Sequence, residues 1–217
     1  LINFALHNAA FYFSAQTKRV EVRKMTELIL LRHGKTALNE KKVYCGSNDP
    51  PLSAQGIIET ERTAEHLKAF EPNGVYASEK QRARQSAKIV APHMPVSAVP
   101  ALCELDFGDF EGLSADEIAR RMPDEWQAYL DDPYGFHFPN GDSVNGFLQR
   151  SSKAVRQISE RHQGQRILVV THKGVITAAL SYYLHGDLKA AFHYDIRPSG
   201  FARLKIFDDI CVLTQLY

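Results

Sequence analysis

Two short apolar runs limit the fold of this chain more than any other feature. One is "ELILL" at residues 27–31 and the other is "QRILVV" at residues 165–170. Each is too short for a helix that could stand on its own, and neither alternates apolar with polar. Such runs read as strands buried on both faces, the kind found in parallel sheets covered by helices. Both also end alike. The first runs into Arg32, His33 and Gly34, and the second into Thr171, His172, Lys173 and Gly174. In open α/β sheets, ligands bind in the crevice outside the carboxyl ends of the strands. His33 and His172, 139 positions apart, are therefore expected to face one pocket.

The remaining pattern alternates strands with helices. Ser53 is placed to cap a helix whose apolar positions, Ile57, Ala64 and Leu67, fit one stripe. "NGVYAS" (73–78) reads as a turn and a strand, and "KQRARQSAKIVAPH" as a helix halted ahead of Pro92 and Pro95. "VSAVPAL" reads as extended. Short helices are expected around 114–121 and 124–130, a long one from about Ser143, and another after Thr171 that ends at Gly186. "GFARLKIF" and "ICVLTQL" read as a closing pair of strands. The fold class is α/β: a three-layer sandwich whose mostly parallel central sheet, with one antiparallel edge strand, is flanked by helices on both faces. Residues 25–217 read as a single domain. Residues 1–24, apolar and then basic, read as an N-terminal extension of unknown role ahead of Met25; a signal peptide would carry its charge first.

Composition removes several classes. A net charge of +1 over 217 residues offers no polycationic surface for nucleic acid or membrane lipid. No run is long and apolar enough to cross a bilayer. Cys45, Cys103 and Cys211 form no CxxC pair, which argues against a disulfide framework or a zinc site and for a reducing, cytoplasmic setting. They read as small buried apolar residues. Chemistry on an anion must therefore come from a local cluster of cations.

Such a cluster is available. Arg32 precedes His33, Arg82 follows the strand "VYAS", and Glu104 ends another extended segment. Arginine forks onto phosphate oxygens and does not deprotonate. A neutral imidazole is a competent nucleophile, and neighbouring arginines hold it neutral by like charge. A second imidazole, protonated, stabilises charge on a transferring phosphoryl group. A carboxylic acid protonates the departing alkoxide. The set suits phosphoryl transfer through a phosphohistidine, with neither a metal nor a cofactor called for.

Four blocks, "LRHGKTALN", "SEKQRARQSA", "LCELDFGDFEG" and "VTHKG", occur in an order that resembles the signature of the histidine phosphatase superfamily, the branch that includes cofactor-dependent phosphoglycerate mutase. The resemblance implies that His33 is the nucleophile and Glu104 the proton donor. It implies that Arg32, Arg82 and His172 clamp the phosphate and that Asn39 adds a contact. Gly46 and Gly174 would bring backbone amides to the anion. Asp106, Asp109 and Glu111 are rival acids, and Arg84 is a rival for Arg82. Lys173 stands where many relatives carry glycine or glutamine. A cation at the first turn of a helix opposes the dipole, so it faces solvent or meets an anionic substrate.

Only 67 positions separate Glu104 from His172, which leaves little room for the insertions with which mutases exclude water. Water as acceptor, hence a phosphomonoesterase, is the expectation. The tail from Val170 resembles α-ribazole phosphatases of cobalamin biosynthesis. The alternatives are a broad-specificity or sugar-phosphate phosphatase, a phosphoglycerate mutase, and an inactive binding protein on the same fold. The expected partner is a small phosphate monoester, with a homodimer left open. Loop 103–145 is rich in aromatics that read first as local core. Of these, Phe107, Phe110, Tyr134 and Phe136 offer the faces expected to receive a flat substrate.

Overall fold

The computed structural model describes residues 24–208 and 210–217. The extension expected at residues 1–24 therefore lies outside the described residues except for Lys24. Six strands form one sheet in the order β3-β2-β4-β1-β5-β6. They are β1 (Thr26–Arg32), β2 (Gly74–Ala77), β3 (Val96–Ala98), β4 (Arg166–Thr171), β5 (Phe201–Ile206) and β6 (Cys211–Leu216). The two apolar runs lie side by side at the centre. β1 and β4 pair in parallel with Arg32 opposite Thr171, so the next residues of the two chains, His33 and His172, emerge together. β5 pairs antiparallel with both β1 and β6. The expected antiparallel edge strand is thus an antiparallel pair closing one edge.

Alternate residues of the central strands feed two separate cores. Leu28, Leu30, Ile167 and Val169 pack on one side with α6 (Val144–Arg161) and α7 (Lys173–His185). Ile29, Leu31, Leu168 and Val170 pack on the other with α3 (Gln81–Val90) and with Leu67 and Phe70. A side chain of this kind contributes about 1.5–3 kcal/mol when fully buried, so a polar residue in either strand would be strongly destabilising. The cap expected at Ser53 accepts from the Gly56 amide, Ser143 caps α6 in the same way, and Gly186 ends α7 with a left-handed φ of 69°.

The stripe expected on α2 (Ala54–His66) is displaced. Ile57 is 41% exposed, and the buried positions are Gly56, Thr60 and Thr63, followed by Leu67. The reason is polar. Thr60 Oγ1 pairs with Ser199 Oγ at 3.0 Å and Thr63 Oγ1 donates to the Ser199 carbonyl at 2.8 Å. Gly56 lies so close to the Lys35 backbone that any Cβ would collide with it. The helix is fixed to the strand-end loop by hydroxyls and a glycine, which a hydrophobic pattern does not register. The short helix α1 (Ala37–Glu40) also escapes that pattern, whereas α4 (Ala115–Arg121) and α5 (Pro123–Asp131) lie within a residue of the expected bounds.

Candidate active site

Three adjacent strands deliver the core of the site. His33 follows β1, His172 follows β4, and Ser78 follows β2 with its amide bonded to the Val170 carbonyl at 3.0 Å. The His33 amide donates to the Thr171 carbonyl at 2.9 Å, extending the ladder one residue past the strand. The two imidazoles meet edge to face with centroids 5.0 Å apart. His33 is 4% exposed and His172 fully buried, so the pair forms a floor rather than a rim.

The His33 tautomer follows from its surroundings. Nδ1 lies 2.7 Å from the Gly34 carbonyl, which can only accept, so Nδ1 carries the proton and Nε2 keeps its lone pair. Burial, then the charges of Arg82 and Arg32, hold the His33 pKa well below its ordinary value. The like-charge effect expected from sequence is present but second to burial. His172 behaves the same way: burial first, then His33, push its pKa well below 6.5. Enclosure beside Arg32 and Arg82 thus favours a neutral second imidazole, against the protonated one expected from sequence.

Arg82 opens the first turn of α3 and is 0% exposed. Its Nη1 and Nη2 donate to the Asn48 and Gly46 carbonyls at 2.5 and 2.9 Å. The nearest carboxylate among the described residues is that of Asp49, at 3.9 Å and 41% exposed. Enclosing a cation costs several kcal/mol, and one solvated carboxylate at that range returns little of it. Arg32 donates to the Ile196 carbonyl at 2.6 Å. Arg32 Nε, Arg82 Nε and His172 Nδ1 are all buried and have no partner among the described residues. The rival Arg84 lies on the exposed side of α3.

Glu104 reaches this group from a segment anchored by Thr171 Oγ1, which donates to the Leu102 carbonyl at 2.7 Å. The residue is partly exposed, but its carboxyl accepts from the Gly174 amide at 3.1 Å and from its neighbour's amide at 3.1 Å. Burial of that carboxyl raises its pKa despite these bonds and the two arginines. The rival acids have structural partners. Asp106 accepts from the Gly108 amide, and Asp109 from Asn140. Glu111 takes the amides of Gly46 and Ser47 at 2.7 and 2.8 Å and the Asn48 side chain at 2.7 Å.

Those bonds correct three expectations. The Gly46 amide is occupied by Glu111 and the Gly174 amide by Glu104, so neither is available to an anion. Both glycines are needed for close approach instead: a Cβ at Gly46 would strike the Leu105 carbonyl, and one at Gly174 would strike Glu104 and Phe147. Lys173 is not the unpaired charge the sequence suggests: it forms an exposed pair with Asp195 at 2.7 Å while still bordering the cavity described next. Asn39 completes a capping box with Thr36 through its side-chain oxygen, yet still lines the cavity described next.

Arg32 and Glu104 also border a cavity of about 280 Å³ that is lined by Asn39, Lys42, Phe107 and Lys173 as well. Glu104, Phe107 and Lys173 also border a neighbouring cavity of about 350 Å³, whose walls include Tyr44, Tyr129, Phe147, Phe192 and Tyr194. Of the aromatic faces expected from sequence, only Phe107 reaches it. Phe110 is 0% exposed, Phe136 packs against Phe110 and Phe138, and Tyr134 donates to Asn145. Tyr44, Phe147, Phe192 and Tyr194 carry no sequence signal as a wall, because they come from three separate stretches with no shared pattern. The cysteines are half-buried rather than buried, and Cys45 borders the smaller cavity.

Residues 28–217 match the model of the histidine phosphatase superfamily, branch 1. The chain is 33% identical over 160 residues to a metal-independent phosphoserine phosphatase from Arabidopsis thaliana, covering 71% of this chain and 67% of that protein. It is 28% identical over 191 residues to an adenosylcobalamin/alpha-ribazole phosphatase from Escherichia coli (strain K12), covering 87% and 94%. The crystal structure of the alpha-ribazole phosphatase from Shigella flexneri superposes with a TM-score of 0.80 at 27% identity, covering 88% of this chain and 95% of that one.

Proposed function

The chain belongs to the histidine phosphatase superfamily and is a phosphatase, and we propose that it hydrolyses a nucleoside-like phosphate monoester, α-ribazole 5′-phosphate first, through a phosphohistidine at His33. The observation that carries the reading is the convergence of unpartnered buried groups, Arg32 Nε, Arg82 Nε and His172 Nδ1, around a histidine whose Nε2 bears the lone pair. A tetrahedral oxyanion is the ligand that such a set satisfies.

In this reaction His33 Nε2 attacks phosphorus in line with the departing alkoxide. The P–O bond to the leaving group breaks as the N–P bond forms, and Glu104 gives its proton to the leaving oxygen. Burial raises the Glu104 pKa, which favours the protonated form that this step needs. Water then attacks the phosphohistidine, gives a proton to the Glu104 carboxylate, and releases phosphate with His33 restored. The charge on the phosphoryl oxygens is carried by Arg32 and Arg82 in a buried setting, where fixed cations act most strongly.

The leaving group would occupy the aromatic cavity, where Phe107, Phe192 and Tyr194 suit a flat base. The alpha-ribazole phosphatase relatives support this choice, and three unpaired cysteines fit a reducing, cytoplasmic setting. No described helix is long and apolar enough to cross a membrane. One observation favours a second reading. The Lys173–Asp195 pair at the rim could exchange partners with the carboxylate and ammonium of an amino acid, which would suit phosphoserine. Initial rates on α-ribazole 5′-phosphate, phosphoserine, 3-phosphoglycerate and fructose bisphosphates separate these readings. The first substrate should show the highest kcat/KM, and conversion of 3-phosphoglycerate to its 2-isomer would overturn the hydrolase reading.

A further inference from the structure

Ser78 has no place in the chemistry above, yet it is fully buried between the ends of β2 and β4. Its hydroxyl has three neighbours: His172 Nε2 at 2.8 Å, Cys103 Sγ at 3.3 Å and the Lys80 amide at 3.3 Å. The Lys80 amide can only donate, so it uses one oxygen lone pair. The single hydroxyl proton then goes either to the imidazole nitrogen or to sulfur. Nitrogen of a neutral imidazole is a good acceptor, and thiol sulfur a weak one. The thiol can also donate to the remaining lone pair, so directing the hydroxyl at His172 leaves no member of the group unbonded.

That direction has a consequence for His172. If Nε2 accepts from Ser78, the ring proton of the neutral imidazole must sit on Nδ1. Nδ1 is the buried atom with no partner among the described residues, in the ring that packs on His33. We propose that Ser78 is a positioning residue that holds neutral His172 as its Nδ1–H tautomer, so that the ring donates a hydrogen bond to a phosphoryl oxygen without being protonated. The proposal rests on His172 belonging to the phosphate clamp. It explains how an enclosed, uncharged imidazole can serve an anion at all, since the opposite tautomer would aim a lone pair at it.

The test is two-bond 1H–15N correlation spectroscopy of the full chain near pH 7.5, with the His172 signals identified by their loss in His172→Gln. His172 should show a protonated Nδ1 in the wild type and in Ser78→Thr, and should move toward the Nε2–H form in Ser78→Ala. KM for p-nitrophenyl phosphate and the vanadate inhibition constant should rise about tenfold in Ser78→Ala and return toward wild type in Ser78→Thr. An Nε2–H tautomer in the wild type overturns the proposal, and that measurement does not depend on any variant folding. So does an unchanged tautomer in a folded Ser78→Ala. Titration with inorganic phosphate separates the two layers: failure of phosphate to perturb the His33 and His172 signals sinks the clamp, whatever the tautomer.

Discussion

His33, Arg82 and His172 hang from two strand ends and the start of a helix, and little or nothing of them reaches solvent. Phe107, Phe192 and Tyr194, a short distance away, come from loops and irregular turns and line an open cavity. The first region is positioned by the sheet's hydrogen-bond ladder, whose register leaves His33 and His172 no choice of neighbour. The second is positioned outside the sheet, by side-chain packing and by scattered hydrogen bonds such as that between the Tyr194 hydroxyl and His185 at 2.7 Å. A phosphoryl group is the same in every monoester, so its site benefits from rigidity. The alcohol differs from one substrate to the next, and loops can vary without disturbing the strands beneath.

The comparison is broken most directly at its rigid end. His33→Ala should lower turnover on every monoester by on the order of 10⁴-fold or more, with loss of an acid-labile phosphoenzyme. Substantial residual activity would remove His33 from the role of nucleophile. Glu104→Gln joins the two ends and should discriminate between substrates. Alkyl phosphates should lose about 10²–10⁴-fold, and p-nitrophenyl phosphate, whose leaving group needs little help, much less. Equal losses on both would place the acid elsewhere. Because its folded pKa is raised, Glu104 favours the folded state most when protonated, and that contribution declines as pH rises through the raised value. Glu104→Gln should therefore flatten the fall of Tm that begins as pH rises above the ordinary carboxylate value of 4.5.

The buried histidines give the opposite slope. Their folded pKa values lie below the ordinary 6.5, so the unfolded chain takes up protons first, and stability falls as pH drops below about 6.5. His172→Gln should make that acid-side fall shallower in urea titrations; an unchanged slope would mean that the ring is charged in the folded protein. At the permissive end effects should shrink and become selective. Phe192→Ala should raise KM for a nucleotide-like substrate by about 5- to 20-fold, in line with ~1–3 kcal/mol for a base stacked on an aromatic ring, while KM for p-nitrophenyl phosphate changes less. Equal changes for both would erase the distinction between the regions. The smallest effect belongs to Lys173→Met. The exposed pair with Asp195 is worth ~0–1 kcal/mol, so stability should barely move, and only substrates carrying a carboxylate should lose affinity.

The same contrast governs what the sequence reveals. β1 and β4 are legible because burial on both faces demands unbroken apolar runs, and the site residues at their ends are legible because the strands stop there. Caps at Ser53 and Ser143 are legible because a hydroxyl at a helix start has a fixed use. What is not legible depends on partners distant in the chain. Gly46 reads as an amide donor until Glu111, 65 positions on, is seen to occupy it. Lys173 reads as an unpaired charge until Asp195 arrives beside it. The helical stripe on α2 misleads because hydroxyl pairing with Ser199 outweighs the burial of Ile57.

Glu111 ties residues 46–48, whose carbonyls hold Arg82, to the segment 104–111 that carries the acid. A single carboxylate thus makes two loops hereditary companions. A substitution that shifts one is passed on to the other, and lineages that retune the leaving-group side must do so in parts of the chain that Glu111 does not grip. The turn at Leu188–His193, which brings Phe192 to the cavity, makes no side-chain bond to Glu111 among the described residues and is free of that inheritance. New specificities would be expected to arise there first.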